Sequence, residues 1–253
     1  MKKDEFGDRI KTYESIQTKN ILIPQLPIIA RIDGRCFHTW TKDFDRPFDS
    51  RLSSIMMKVM KDVVSEFNCN CGYTQSDEIT LTWWSNNYLS QPLFGGKIFK
   101  LCSVIASYIT SRFCVYLHDN SLPYVNYPTF DCRVFNVPSK TEGANVFLWR
   151  HNDAYKNSVS AAARFYYSHK ELEGKNTEDR KQMLLLKNVD WNCYPVYFKY
   201  GCFARKSTID DINSIAELTS FNHSFSKIIN REEFIYDNLT PIRIENEPVV
   251  NRL

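Results

Sequence analysis

The first 140 residues alternate between two hydrophobic periods. Leu26-Pro-Ile-Ile-Ala-Arg-Ile-Asp-Gly-Arg35 is a Pro-bounded apolar run, the pattern of a short strand buried on both faces. Ahead of it, Phe6, Ile10, Tyr13 and Ile16 fall roughly on one face of an amphipathic helix over 6–20. After it, 43–49 reads as a loop carrying Arg46-Pro47. Asp49-Ser50 then offers N-cap chemistry for a helix to residue 67, with Leu52, Ile55, Met56, Val59, Val63 and Phe67 on its buried side. Residues 70–73 and 79–84 are strand-like, and 75–78 form the turn between them: a β-hairpin with acidic residues at its tip.

Gly95-Gly96 precedes a helix over 97–113 with Ile98, Leu101, Ile105 and Ile109 as its stripe, and 130–137 reads as a fourth strand ended by Pro138. Helices over 145–167 and 177–188 follow, then a hairpin over 191–206 turning around Lys199-Tyr-Gly201, then a mixed, Asn-rich tail beyond Ser207. There is no internal repeat. Strand, helix, strand, strand, helix, strand is the split βαβ order of ferredoxin-like folds, which nucleotidyl-transferring palm domains also use. The expected architecture is therefore α+β: a palm domain over 1–140 including the N-terminal helix, with 141–253 a helical and hairpin extension packed on it.

Composition narrows the class without naming it. At 43% hydrophobic and 24% charged the chain can build a sizeable core. Eight glycines in 253 residues argue against a glycine-rich nucleotide loop as the main device, and a net charge of +3 permits nucleic-acid binding without demanding it. No stretch is read as approaching the roughly 20 apolar residues of a membrane span. The polar start, Met1-Lys-Lys-Asp-Glu-Phe6, lacks a signal-peptide core. Only Cys69 and Cys71 among the eight cysteines lie close together, which is poor zinc spacing, so the thiols are read as reduced, mostly buried, in a cytoplasmic protein.

Asp33 ends an apolar strand, and an unpartnered buried carboxylate is costly, so it needs an arginine, a set of N–H groups or a metal. In a split βαβ fold the end of the first strand lies beside the hairpin, bringing Asp33 within reach of Gln75-Ser-Asp-Glu78. Two carboxylates there suit Mg²⁺, and two such ions ~4 Å apart can activate a hydroxyl and stabilise a leaving oxygen in phosphoryl transfer. The plainer reading pairs Asp33 with Arg31 or Arg35 and leaves the hairpin tip solvated.

Arg31-Ile-Asp-Gly-Arg35 with Phe37-His38, then Gln75-Ser-Asp-Glu78, resembles the tRNA-histidine guanylyltransferase superfamily, the 3′→5′ nucleotide-adding enzymes with a palm fold. The resemblance continues through Phe44-Asp-Arg-Pro47, Lys97-Ile-Phe-Lys-Leu-Cys-Ser103, Phe130-Asp-Cys-Arg-Val134 and Trp149-Arg150 to Asp153, covering roughly residues 20 to 205 in order. It implies that Asp33 and Asp77 are the catalytic, metal-ligating carboxylates, helped by the Gly34 carbonyl, with Glu78 assisting and two Mg²⁺ ions as cofactors. It also implies that Arg35, Phe37, His38, Arg46, Ser76, Lys97, Lys100, Arg133 and Asn157 contact nucleoside triphosphates, ATP and GTP among them. For His38 this means a nucleotide contact rather than proton transfer. Fixed cations match phosphate oxygens, and a helix start at Lys97 and Lys100 favours anions.

The family's His-Ile-Asn-Asn signature is replaced here by Tyr155-Lys-Asn-Ser158. That departure resembles the guanylyltransferase-like branch, whose members repair truncated tRNA 5′ ends by template-dependent 3′→5′ addition. The implied reaction activates a 5′-monophosphate with ATP or GTP, after which the 3′-hydroxyl of an incoming NTP attacks it. The implied partners are a tRNA or tRNA-like RNA with a truncated 5′ end and further copies of the chain in a homotetramer. Arg150, Lys156, Arg164 and Lys199 are candidate RNA contacts. Alternatives are a histidine-tRNA-specific guanylyltransferase, another palm-type enzyme, or a non-catalytic RNA-binding protein with a palm fold.

Overall fold

Alternation along one strand sets the layers of the computed structural model, which describes residues 4–122, 126–206, 216–219, 223–228 and 230–237. In β1 (Ile28–Gly34), Ile28, Ala30 and Ile32 enter one core cluster and Ile29 enters another on the opposite face of the sheet. The first cluster is closed by α3 (Ser50–Glu66) and α4 (Ile98–Asp119), and the second by α5 (Lys140–Tyr166) and α9 (Arg231–Tyr236). The strand is buried on both sides, as its unbroken apolar run demands.

The other strands are β2 (Cys71–Gln75), β3 (Glu78–Trp83), β4 (Phe130–Asn136), β5 (Cys202–Lys206) and β6 (Ala216–Thr219). They form one antiparallel sheet in the order β4-β1-β3-β2-β5-β6. Its first four strands are the ferredoxin-like palm expected from the sequence, and β5 and β6 extend that sheet beyond β2. Asp49 caps α3 as expected, its carboxylate accepting from the Arg51 and Leu52 N–H groups. The shorter helices are α1 (Glu5–Thr18), α2 (Phe37–Trp40), α6 (His169–Leu172), α7 (Thr177–Leu186) and α8 (Val196–Tyr200).

Four expectations need correction. The hairpin over 191–206 does not form: Pro195 opens α8, Gly201 closes it at φ +77, and only Cys202–Lys206 is a strand, pairing with β2. Gly201 therefore serves as a helix cap rather than a hairpin tip. The helix expected from 145 begins at Lys140, because the Ser139 hydroxyl accepts from the Glu142 N–H directly after Pro138. The N-terminal helix forms, yet it buries no residue. Finally, α4 runs 22 residues and holds an 18-residue stretch of mean hydropathy 1.4, long and apolar enough by those measures to cross a membrane. Leu101, Ile105, Ile109, Phe113 and Leu117 instead pack it on the sheet. None of the eight cysteines is in a disulfide; three are buried, and Cys36 and Cys193 are exposed. Much of the tail beyond Ser207 lies outside the described residues.

Candidate active site

The register of the sheet fixes the centre. Asp33 at the end of β1 sits directly opposite Glu78, the first residue of β3, and opposite Asp131 on β4. The Gly34 N–H donates to the Asp77 carbonyl at 3.1 Å, stitching the end of β1 to the hairpin tip. Gly34 is required by this closeness, since a Cβ there would run into the Phe37 ring. The tip itself is a two-residue turn with Ser76 at φ 51, and the Ser76 hydroxyl reaches an Asp77 carboxylate oxygen at 3.0 Å.

Among the described residues neither Asp33 nor Asp77 enters an ion pair. Burial pushes the Asp77 carboxyl above its usual range. The Asp33 charge adds to that rise, while the Ser76 hydroxyl and His38 oppose it. Two neighbouring carboxylates of this kind concentrate negative charge at the hairpin tip, with the His38 ring within electrostatic reach of Asp77. Arg31 does not supply the answer, because its guanidinium lies 5.6 Å from the Trp149 ring centre, and Arg35 is exposed.

Glu78 stands apart from that pair. Its carboxylate accepts from the Arg150 Nε at 2.5 Å, with both side chains under 10% exposed, and Arg150 also reaches Asp153 at 3.1 Å. Burial raises the Glu78 carboxyl, against the lowering by Arg150. The Arg150 guanidinium further packs 4.5 Å from the Trp149 ring centre, so α5 is clamped to the strand that follows the hairpin tip.

A cleft of about 760 Å³ opens over this centre. Asp33, Gly34, Phe37, His38, Arg46, Ser76, Asp77, Glu78 and Asn157 line it together. Arg35, Lys97, Lys100 and Arg133 do not. Arg35 donates its N–H to the Thr129 carbonyl, Lys97 is the residue before α4, and Lys100 lies over the Phe94 ring at 5.1 Å. Arg133 sits opposite Arg31 in the register, on the same side of the sheet as Asp33, and makes an exposed 3.6 Å pair with Asp131. Two RNA-contact candidates are corrected: Arg150 is buried in its ion pairs, and Lys199 is buried with its ammonium donating to the Asn192 carbonyl. Lys156 is exposed on α5, and Arg164 lines the cleft.

Sequence reasoning missed the cleft's second wall, made by Phe48 and Phe198, whose rings stack at 4.5 Å. No local pattern joins residues 150 positions apart. It also missed the interior role of Arg150, for which a signal was present: an arginine directly after the apolar run Val146-Phe-Leu-Trp149.

Among the described residues no group of three or more His, Cys, Asp or Glu side chains gathers to hold a metal ion by itself. Mg²⁺ in nucleotide enzymes takes one or two carboxylates and completes its shell with water and substrate phosphates. Asp33 and Asp77, in no ion pair with arginine and lining a cleft large enough to take a nucleotide, fit that requirement; Glu78, already paired, does not add to it.

A family model described as tRNAHis guanylyltransferase matches residues 7–138, just over half of the chain. A bacterial tRNA(His) guanylyltransferase-like protein solved in complex with ATP is 32% identical, with a TM-score of 0.83 over 92% of this chain and 100% of the other. A bacterial protein of the same description in complex with GTP is 30% identical, with a TM-score of 0.73 over 93% and 98%. The tRNA(His) guanylyltransferase of Saccharomyces cerevisiae shares the fold at 22% identity, with a TM-score of 0.68 over 80% and 92%.

Proposed function

The chain belongs to the tRNAHis guanylyltransferase family of nucleotidyltransferases, and from that premise we propose that it adds nucleotides in the 3′→5′ direction to the 5′ end of tRNA or similarly folded RNA, in a template-dependent repair reaction. The observation that carries the reading is the Asp33–Asp77 pair, two carboxylates with no ion-pair partner among the described residues, lining a cleft large enough to take a nucleotide. Mg²⁺, when bound, supplies the charge neutralisation that phosphoryl transfer needs.

The chain's own residues divide the remaining work. Asp33 and Asp77, with the Gly34 carbonyl, would hold the cation. Arg46, whose guanidinium donates to the Thr41 carbonyl at 3.0 Å while facing the cleft, holds triphosphate oxygens. His38 lies near enough to Asp77 to lower its carboxyl and serves as a fixed nucleotide contact. Glu78 acts through Arg150, fixing the hairpin tip rather than touching substrate. The RNA 5′-monophosphate attacks the α-phosphorus of ATP or GTP, breaking the α–β bond and releasing pyrophosphate. The 3′-hydroxyl of the next NTP then loses its proton and attacks the RNA 5′-phosphorus, expelling AMP or GMP, and base pairing with the opposite strand chooses the nucleotide.

Repair rather than histidine-tRNA-specific G addition is favoured by Tyr155-Lys-Asn-Ser158 in place of His-Ile-Asn-Asn. The greater similarity to the bacterial guanylyltransferase-like protein than to the yeast enzyme points the same way. The test is incubation with Mg²⁺, NTPs and a panel of tRNAs lacking one or more 5′ nucleotides. Growth at the 5′ end by whichever nucleotide pairs is expected, and its loss in Asp33→Ala and Asp77→Ala. Addition of G alone, regardless of the opposite base, would favour the histidine-tRNA enzyme; 3′ extension or a cyclic nucleotide would overturn the proposal.

A further inference from the structure

The cleft does not end where a single nucleotide would. Arg150, Ala154, Asn157, Ala161 and Arg164 all line it, at spacings of three to four residues along α5. That spacing is one face of one helix. From Arg150, which touches Glu78 beside the carboxylate pair, to Arg164 is fourteen residues, or about 21 Å at the helical rise. Stacked nucleotides advance about 3.4 Å each along a strand, so the face matches roughly six of them.

The far end has the chemistry of a strand-binding groove. Small side chains on α5 leave the floor open, the stacked rings of Phe48 and Phe198 line the same cleft, and Arg164 is exposed with no ion pair among the described residues. The two acidic residues on the Phe48 side, Asp45 and Asp49, are both answered by Arg51. A guanidinium with no ion-pair partner can hold a backbone phosphate of a paired or unpaired strand, and an aromatic face beside it can take an unpaired base by stacking.

We propose that this distal part of the cleft seats the RNA strand rather than a nucleoside triphosphate, with Arg164 holding a backbone phosphate several nucleotides from the reacting 5′ end. The assignment rests on RNA being the substrate, and it deepens that reading by giving the strand a path along α5. Of the four basic residues considered from sequence, Arg150 and Lys199 are buried and Lys156 does not line the cleft.

The test measures binding separately from turnover. Fluorescence anisotropy of a 3′-labelled tRNA lacking its first nucleotide is followed over a salt series for the wild type, Arg164→Ala, Arg164→Lys and Arg164→Glu, together with the KM for ATP. Arg164→Ala is expected to weaken RNA binding roughly tenfold at low salt and to make the salt slope shallower by about one. Arg164→Lys should recover most of the loss, Arg164→Glu should exceed it, and the KM for ATP should stay unchanged. Unchanged RNA affinity in Arg164→Ala and Arg164→Glu would overturn the assignment. So would a raised KM for ATP with RNA affinity intact, which would make this end a nucleotide site. If the wild type binds the RNA and adds nothing to it, the catalytic reading fails while the binding arm still decides Arg164.

Discussion

Removing Arg150 should cost far more stability than a surface arginine, and replacing the whole pair should cost little. Arg150 and Glu78 are 7% and 9% exposed at their side chains and meet at 2.5 Å, so neither charge is shared with bulk water. Taking away one partner of a buried pair leaves the other ionised in the interior, at a cost of about 3–5 kcal/mol. The second contact, to the 37%-exposed Asp153, adds at most about 1 kcal/mol. Against a total stability of about 5–15 kcal/mol, Arg150→Met is therefore expected to remove a large share. Glu78→Leu with Arg150→Met exchanges the pair for apolar groups and should return to within about 1–2 kcal/mol of wild type. Urea unfolding followed by tryptophan fluorescence on the wild type, both single variants and the double closes the cycle. Because Glu78 acts through Arg150, the double variant should also keep a reduced but measurable rate of nucleotide addition. A loss under 1 kcal/mol in Arg150→Met, or a double variant as unstable as the worse single one, would refute the reasoning.

Asp49 gives a pH signature. Arg51 beside it, with three backbone N–H groups, holds its carboxyl down at about 2, below the ordinary value, so its stabilisation is present above about pH 4 and is lost as pH falls towards 2. Asp49→Asn keeps the helix cap and should flatten that part of the stability profile in acid-unfolding curves, while Asp49→Ala should lose about 1–2 kcal/mol at neutral pH. Gly34→Ala forces the Phe37 ring away from the carboxylate pair, so nucleotide addition should fall by at least tenfold with a lowered melting temperature. Phe6→Ser and Ile16→Ser lie on a helix that buries nothing, so each should shift the urea midpoint by less than the equivalent of about 0.5 kcal/mol in the isolated chain.

The parts of the molecule that were legible in the sequence are those whose signal is local. The unbroken Ile28–Ile32 run, the Asp49 cap and the two strands around the 75–78 turn each carry their own periodicity or end chemistry, and together they fix the palm order. Residues 191–206 were misread because aromatic and β-branched residues around Lys199-Tyr-Gly201 mimic a hairpin, whereas the proline before them and the positive φ of Gly201 belong to a short helix. The site divides the same way. Asp33 and Asp77 could be placed together from strand order alone, because a register is a one-dimensional fact. The Glu78–Arg150 clamp and the Phe48–Phe198 wall join segments 72 and 150 residues apart through side-chain packing, which no spacing rule encodes.

The central claim is that Asp33 and Asp77 jointly grip the cation on which nucleotide transfer depends. Electron paramagnetic resonance of Mn²⁺, an oxygen-ligand substitute for Mg²⁺, reads this directly when titrated into the protein with ATP. The wild type and Arg164→Ala should hold Mn²⁺ in an ATP-dependent manner, and Asp33→Ala and Asp77→Ala, each folded by circular dichroism, should both lose it. Protein-bound Mn²⁺ undiminished in both aspartate variants would contradict the account.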